Sequence, residues 1–305
     1  MLVVLPNAGA NDSMPAAVTL VSAAPPQKAD SGRQRGTLYR VRHQGNTSYL
    51  FGTIHFGKAG FFPLEAEVTR ALAGASKLVI EVDVRDSASM QAAMNKHAFY
   101  AGADRLENHL SGASMTRLRH ALQKLAIPFD QVTRMKPWMV ANLVLAMDLE
   151  RNGLQSAQGT EIFLLGVAQA QGKTILALES ADYQLSLFDR MPQAQQENYL
   201  SEVLAGIEDG SALKKAAAMI DAWSNADSVA FDTILREAKD EKSAASDFIV
   251  RTLLDERNPE MANSIEILLR NDKSTFVAIG LLHLPGENGV PALLQRRGYE
   301  VTKLY

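Results

Sequence analysis

Two stretches near opposite ends of the chain each run apolar and end in Gly-x-x-His. They are Tyr49-Leu50-Phe51-Gly52-Thr53-Ile54-His55 and Val277-Ala278-Ile279-Gly280-Leu281-Leu282-His283. An imidazole exchanges protons near neutral pH and ligates metals through either ring nitrogen. In open parallel sheets ligands bind beyond the carboxyl ends of the strands, where both histidines fall. Gly52 and Gly280 offer backbone that a ligand or cofactor can approach closely. The rival interpretation is two core histidines capping their strands. The repeated setting favours a site.

Two carboxylates join them. Glu81 interrupts the apolar run Leu78-Val79-Ile80-Glu81-Val82, and Glu179 follows Ile175-Leu176-Ala177-Leu178. An ionised carboxylate in such a place is costly unless it meets a cation, a metal or strong donors. Histidine and carboxylate ligands with open coordination positions are the usual make-up of a catalytic divalent-metal site. A metal there lowers the pKa of bound water, so one carboxylate can ligate while the other acts as base. The plainer alternatives are a strand-end salt bridge for Glu81 and a place near a helix N-terminus for Glu179. Arg257-Asn258 precedes a helix at residues 259–270, with Asn258 as N-cap and Pro259 in the first turn. Arg257 can instead contact an anionic substrate or a site carboxylate. His43 falls in a turn, and His97, His109 and His120 fall on helical or polar surface.

The elements that must position these groups follow from periodicity. Residues 37–42 and 49–54 are β-prone and flank a Gln44-Gly45-Asn46 turn. Residues 63–75 have helical spacing, and residues 78–84 form a strand with almost no polar face, as in a sheet covered on both sides. Residues 137–151 begin with Pro137 and stop before Gly153, a helix with both end signals. A helix over 160–171, a strand over 174–178, a strand over 275–279, a helix over 290–297 and a strand over 299–304 complete the pattern. The fold class is α/β. Its mainly parallel sheet is assembled from two β-(Gly-x-x-His)-α-β halves, with a large helical insertion at about 87–171 and 181–270. Residues 37–305 form one domain. Residues 1–36 are a separate tail, in which the apolar stretch 14–24 ends in small residues like a secretory signal but lacks a basic segment before it.

Bulk properties remove several function classes. A formal charge of −3 and a pI near 6.1 leave no electrostatic footprint for nucleic acid. With no cysteine, thiolate nucleophiles, Cys-ligated zinc and iron–sulfur clusters are excluded. No apolar run is long enough for a transmembrane span. A Gly-x-Ser-x-Gly elbow, a Gly-x-Gly-x-x-Gly fingerprint and a His-Glu-x-x-His helix are all missing.

The same residues carry a resemblance. The segment from Tyr49 to Gly57, then Phe62-Pro63-Leu64 and Leu78-Val79-Ile80-Glu81-Val82-Asp83, resembles the opening of the TraB/PrgY/GumN/Tiki family. Lys136-Pro137-Trp138, Gly159-Thr160-Glu161, Leu178-Glu179-Ser180 with Gln184-Leu185, Arg257-Asn258, Phe276 to His283 and Arg297-Gly298-Tyr299 are similar to its later segments, in order. The resemblance implies a fold related to erythromycin esterase and a haem-binding lipoprotein. It implies a metal-dependent hydrolase, protease- or peptidase-like, acting on a peptide or small-molecule substrate. Gly52, His55, Gly280, His283, Glu81 and Glu179 then form the site, with a divalent Mn, Co, Zn or Fe ion as cofactor. It also implies export to the periplasm or beyond. The second function expected is a non-catalytic metal- or haem-binding exported protein.

Overall fold

The computed structural model of the protein describes residues 34–58, 60–272 and 274–305. The signal-like stretch 14–24, with the rest of the first 33 residues, lies outside the described residues. Gln44 and Gly45 both take positive φ, 48° and 82°, as a two-residue type I′ turn requires. They join β1 (Leu38–His43) to β2 (Asn46–Thr53). A loop and α1 (Ala66–Gly74) lead to β3 (Lys77–Ile80). The helices α2 (Ser87–His97), α3 (Gly112–Leu125), α4 (Pro137–Arg151) and α5 (Thr160–Ala170) intervene before β4 (Thr174–Ala177). Then come α6 (Ala181–Asp189), α7 (Gln193–Glu208), α8 (Ser211–Ser224), α9 (Ser228–Asp240) and the short α10 (Ala244–Asp247). A π-helical run, Phe248–Asp255, passes almost directly into α11 (Arg257–Asn271), and β5 (Thr275–Gly280), α12 (Val290–Arg296) and β6 (Glu300–Lys303) close the chain.

Among the described residues six strands form one sheet in the order β4-β3-β5-β2-β1-β6. The pairs β4–β3, β3–β5 and β5–β2 are parallel, while β1 runs antiparallel to both β2 and β6. The sheet is therefore mixed. The two Gly-x-x-His units also do not stand as side-by-side halves, because β5 inserts between β2 and β3 and β6 crosses to the far edge. Each strand buried on both faces gains by pairing on both edges, and interleaving gives β5 two parallel neighbours. It also sets Gly52 opposite Ile279 and Thr53 opposite Gly280, which brings the two motifs to one end of the sheet.

Leu38, Phe51, Leu78, Ile80 and Phe276 form one apolar face, covered by α1, α5 and Trp223 of α8. Val41, Leu50, Val79, Val277 and Ile279 form the other, covered by α11 and α12. A third core, around Trp138 and Phe188, lies among α2, α3, α4, α6 and α7. The helices expected as an insertion thus carry a core of their own. Among the described residues no helix is long and apolar enough to cross a membrane.

Candidate active site

The four parallel strands β2, β3, β4 and β5 end at Thr53, Ile80, Ala177 and Gly280, and the four singled-out side chains follow within three residues. His55, Glu81 and His283 line a common cavity of about 190 Å³. Glu179 stands behind them and is joined to them through Arg257.

Arg257 is fully buried. Its Nη2 donates to Glu81 Oε2 and to Glu179 Oε2, each at 2.7 Å, and its Nε donates to Glu179 Oε1 at 3.0 Å. Its Nη1 donates to the Leu253 carbonyl at 3.1 Å and lies 3.2 Å from His283 Nε2. A guanidinium presents its donors in a rigid fork that suits two carboxylates at once. Gln184 Nε2 adds hydrogen bonds to Glu179 (2.8 Å) and Glu81 (3.3 Å). Burial by itself would raise the pKa of the Glu81 carboxyl. The Arg257 charge first, then His283 and His55 and the Gly280 N–H, outweigh it and hold that carboxyl far below the usual range. The same carboxylates push the guanidinium pKa up against its own burial.

Asn258 and Pro259 were expected at a helix start, and the structure corrects this. The π-helical run leaves no free N-terminus to cap, and Asn258 is already helical. Its Oδ1 sits 2.6 Å from His283 Nδ1, while its Nδ2 donates to the Asn288 carbonyl at 2.8 Å. With Nδ2 committed as donor, Oδ1 must accept, so His283 carries its proton on Nδ1. Its Nε2 lone pair then faces Arg257. Burial, opposed by the Glu81 charge and reinforced by that of Arg257, pulls the His283 pKa down to about 3. This ring is neutral through the physiological range.

Gly280 explains its own identity. Its N–H donates to Glu81 Oε1 at 2.5 Å, and a Cβ there would stand 2.9 Å from that oxygen. The Gly52 carbonyl accepts from Trp223 Nε1 at 2.9 Å. Both motif glycines therefore position the site from below.

His55 is arranged differently. Its Nδ1 lies 3.1 Å from Glu161 Oε1, a partner the sequence reading did not include among site residues. Thr160 Oγ1 accepts from the Ile54 N–H at 2.8 Å and Thr160 N–H donates to the Ile54 carbonyl at 2.9 Å, which docks the first turn of α5 on the end of β2. Gly159 permits the approach, since a Cβ there would meet the His55 carbonyl at 2.6 Å. Both Glu161 oxygens are buried with no hydrogen-bond partner among the described residues, so the contact is an ion pair with the ring set off-line. Burial opposes a charge on His55, but Glu161, and more weakly Glu81, raise its pKa above 6.5. Burial also raises the Glu161 pKa, and His55 brings it down below 4.5. His55 Nε2 makes no hydrogen bond to any described residue.

This set can hold a proton on His55 and stabilise the imidazolium that forms. As a metal site it fits poorly. Arg257 occupies the space between Glu81 and Glu179 and faces the His283 lone pair. Among the described residues no three His, Asp or Glu side chains stand together to receive an ion.

The sequence model of the TraB/PrgY/gumN family matches residues 37–303. The chain is 26% identical to the uncharacterized protein YbaP of Shigella flexneri over 259 residues, which is 85% of this chain and 90% of that protein. It is 25% identical to YbaP of Escherichia coli (strain K12) over 247 residues, 81% of this chain and 87% of that one. No solved structure matches.

Proposed function

The chain belongs to the TraB/PrgY/gumN family, and we propose that it hydrolyses a peptide, amide or ester bond with His55 as general base. The observation that carries this is the pairing of His55 Nδ1 with buried Glu161, while its Nε2 makes no hydrogen bond to any described residue and the ring lines the cavity. A base held from behind by a carboxylate, with its second nitrogen free, is the arrangement that activates water.

In the reaction, neutral His55 takes a proton from water through Nε2 as the oxygen adds to the substrate carbonyl. The imidazolium is favoured by Glu161 and Glu81, both negatively charged. The imidazolium then returns its proton to the leaving nitrogen or oxygen as the bond from that atom to the carbonyl carbon is cut and the carbonyl re-forms. Arg257 does not touch substrate; it fixes Glu81 and keeps it ionised. His283, neutral and tied to Asn258, shapes the floor.

A metal-assisted form of the reaction is what the family resemblance implies. A divalent ion held by His55, His283, Glu81 and Glu179 would supply an activated water. As they stand these residues do not fit it, because Arg257 uses the carboxylates, and no step above depends on such an ion. An exported location, periplasmic or secreted, belongs to the same reading and rests on the apolar stretch 14–24.

The test is hydrolysis of a peptide library and an ester panel by the full chain. Parent activity lost by about 10²-fold or more in His55→Ala is expected. Equal rates in parent and variant would refute the assignment.

A further inference from the structure

We propose that the cavity beside His55 selects substrates bearing an uncharged apolar group, about the size of a phenyl ring or a leucine side chain, next to the bond that is cut. This rests on the hydrolytic reading above and names its substrate class.

Away from His55, Glu81, Thr53 and His283 the cavity is walled by carbon. Leu149, Ala216, Met219, Ile249, Leu253 and Leu254 are among its apolar lining residues. Leu149, Leu253 and Leu254 are buried, while Ala216, Met219 and Ile249 are partly exposed. The volume is about 190 Å³. A cavity of about 150 Å³ with Leu, Ile and Phe walls stays dry and takes benzene. A charged or strongly polar group placed here would lose its hydration without gaining partners.

The wall and the polar cluster share one element. The π-helical run Phe248–Asp255 contributes Ile249, Leu253 and Leu254, and is closed by a hydrogen bond from Glu256 N–H to the Arg251 carbonyl at 2.9 Å. π-Helical turns are rare and recur at functional sites. Here Leu253 lines the cavity, and its carbonyl accepts from Arg257 Nη1 at 3.1 Å. A group seated on Leu253 is thereby held in register with Glu81, which Arg257 fixes. His55 lines the same space. An apolar group that fills it sets the adjoining carbonyl beside the base.

The experiment uses the full chain and ethyl esters of acetic, phenylacetic, octanoic and dodecanoic acid, with acid release followed at constant pH. Ethyl phenylacetate is expected to exceed ethyl acetate in kcat/KM by about tenfold or more, with dodecanoate falling back. Ala216→Trp, which adds bulk at a lining position, should erase that ratio. Should Ala216→Trp show no cooperative unfolding, Ile249→Ala decides: it enlarges the cavity and should move the preference from phenylacetate towards octanoate. Benzyl alcohol, a neutral probe of the same size, should raise the unfolding temperature of the parent and not of Ala216→Trp. Benzyl alcohol binding without turnover of any ester would sink the hydrolytic reading and leave the apolar site standing. Flat rates across the esters, or the same benzyl alcohol response in parent and filled variant, would overturn the proposal.

Discussion

Glu161 Oε1 stands 3.1 Å from His55 Nδ1, although 106 residues separate the strand end from the helix that docks on it through Thr160 and Ile54. The contact makes one of the two motif histidines a proton acceptor with a raised pKa, while the other is driven down to about 3. Two identical motifs on neighbouring strands thus end in opposite electrostatic states. His55 has a carboxylate behind it, whereas His283 faces a guanidinium. In the proposed reaction their roles divide accordingly between base and scaffold.

Arg257→Met should cost about 3–5 kcal/mol, because it leaves Glu81 and Glu179 as buried charges without their cation. Urea unfolding measures it, and a loss within about 0.5 kcal/mol, the ordinary range for surface changes, would contradict the ion cluster. The pH dependence follows from the carboxylates. Glu81 and Glu161 both have folded pKa values below the ordinary 4.5. Their stabilisation is present above that value and is lost as pH falls through the folded ones. Parent stability should therefore fall on acidification below pH 4.5, and Glu81→Gln should flatten that fall.

Gly280→Ala places a methyl 2.9 Å from Glu81 Oε1, an oxygen already held by the Gly280 N–H. Overpacking of this kind costs about 1–3 kcal/mol. Gly74→Ala is the control, since nothing lies within 4 Å of its added Cβ. Thermal unfolding should separate the two. Equal behaviour would mean that Glu81 is free to move aside.

Much of this was legible in the residues. Pro137 and Gly153 bracket a helix, and α4 runs from Pro137 to Arg151. The apolar strand followed by Gly-x-x-His marks each of the two histidines, and Glu81 betrays itself as a carboxylate in an apolar run. The order of strands was not legible, because nothing in a repeated motif says that β5 will slip between β2 and β3. Asn258 was misread since a π-helical run has no 3.6-residue periodicity to announce that α11 has already begun. Glu161 carried one signal, an acid in a first helical turn after Gly-Thr. Its approach to His55 depends on backbone hydrogen bonds between distant segments.

Metal affinity gives a further prediction. With Arg257 between the carboxylates, Co²⁺ added to the parent should give no visible absorption from bound metal. Arg257→Met, where it folds, frees Glu81, Glu179 and the His283 lone pair and should acquire it. Strong uptake by the parent would show that Arg257 vacates its place and would favour the metal-assisted form of the reaction.

The most direct measurement is the pH dependence of kcat/KM for the parent and for Glu161→Gln. A base must be deprotonated to act, so the parent's rate should rise with pH through a midpoint above 6.5, following the raised His55 pKa. Removing the Glu161 charge leaves burial to dominate, and the midpoint should move to lower pH with a reduced plateau. A profile that stays in place in Glu161→Gln would contradict the claim that His55, backed by Glu161, is the base.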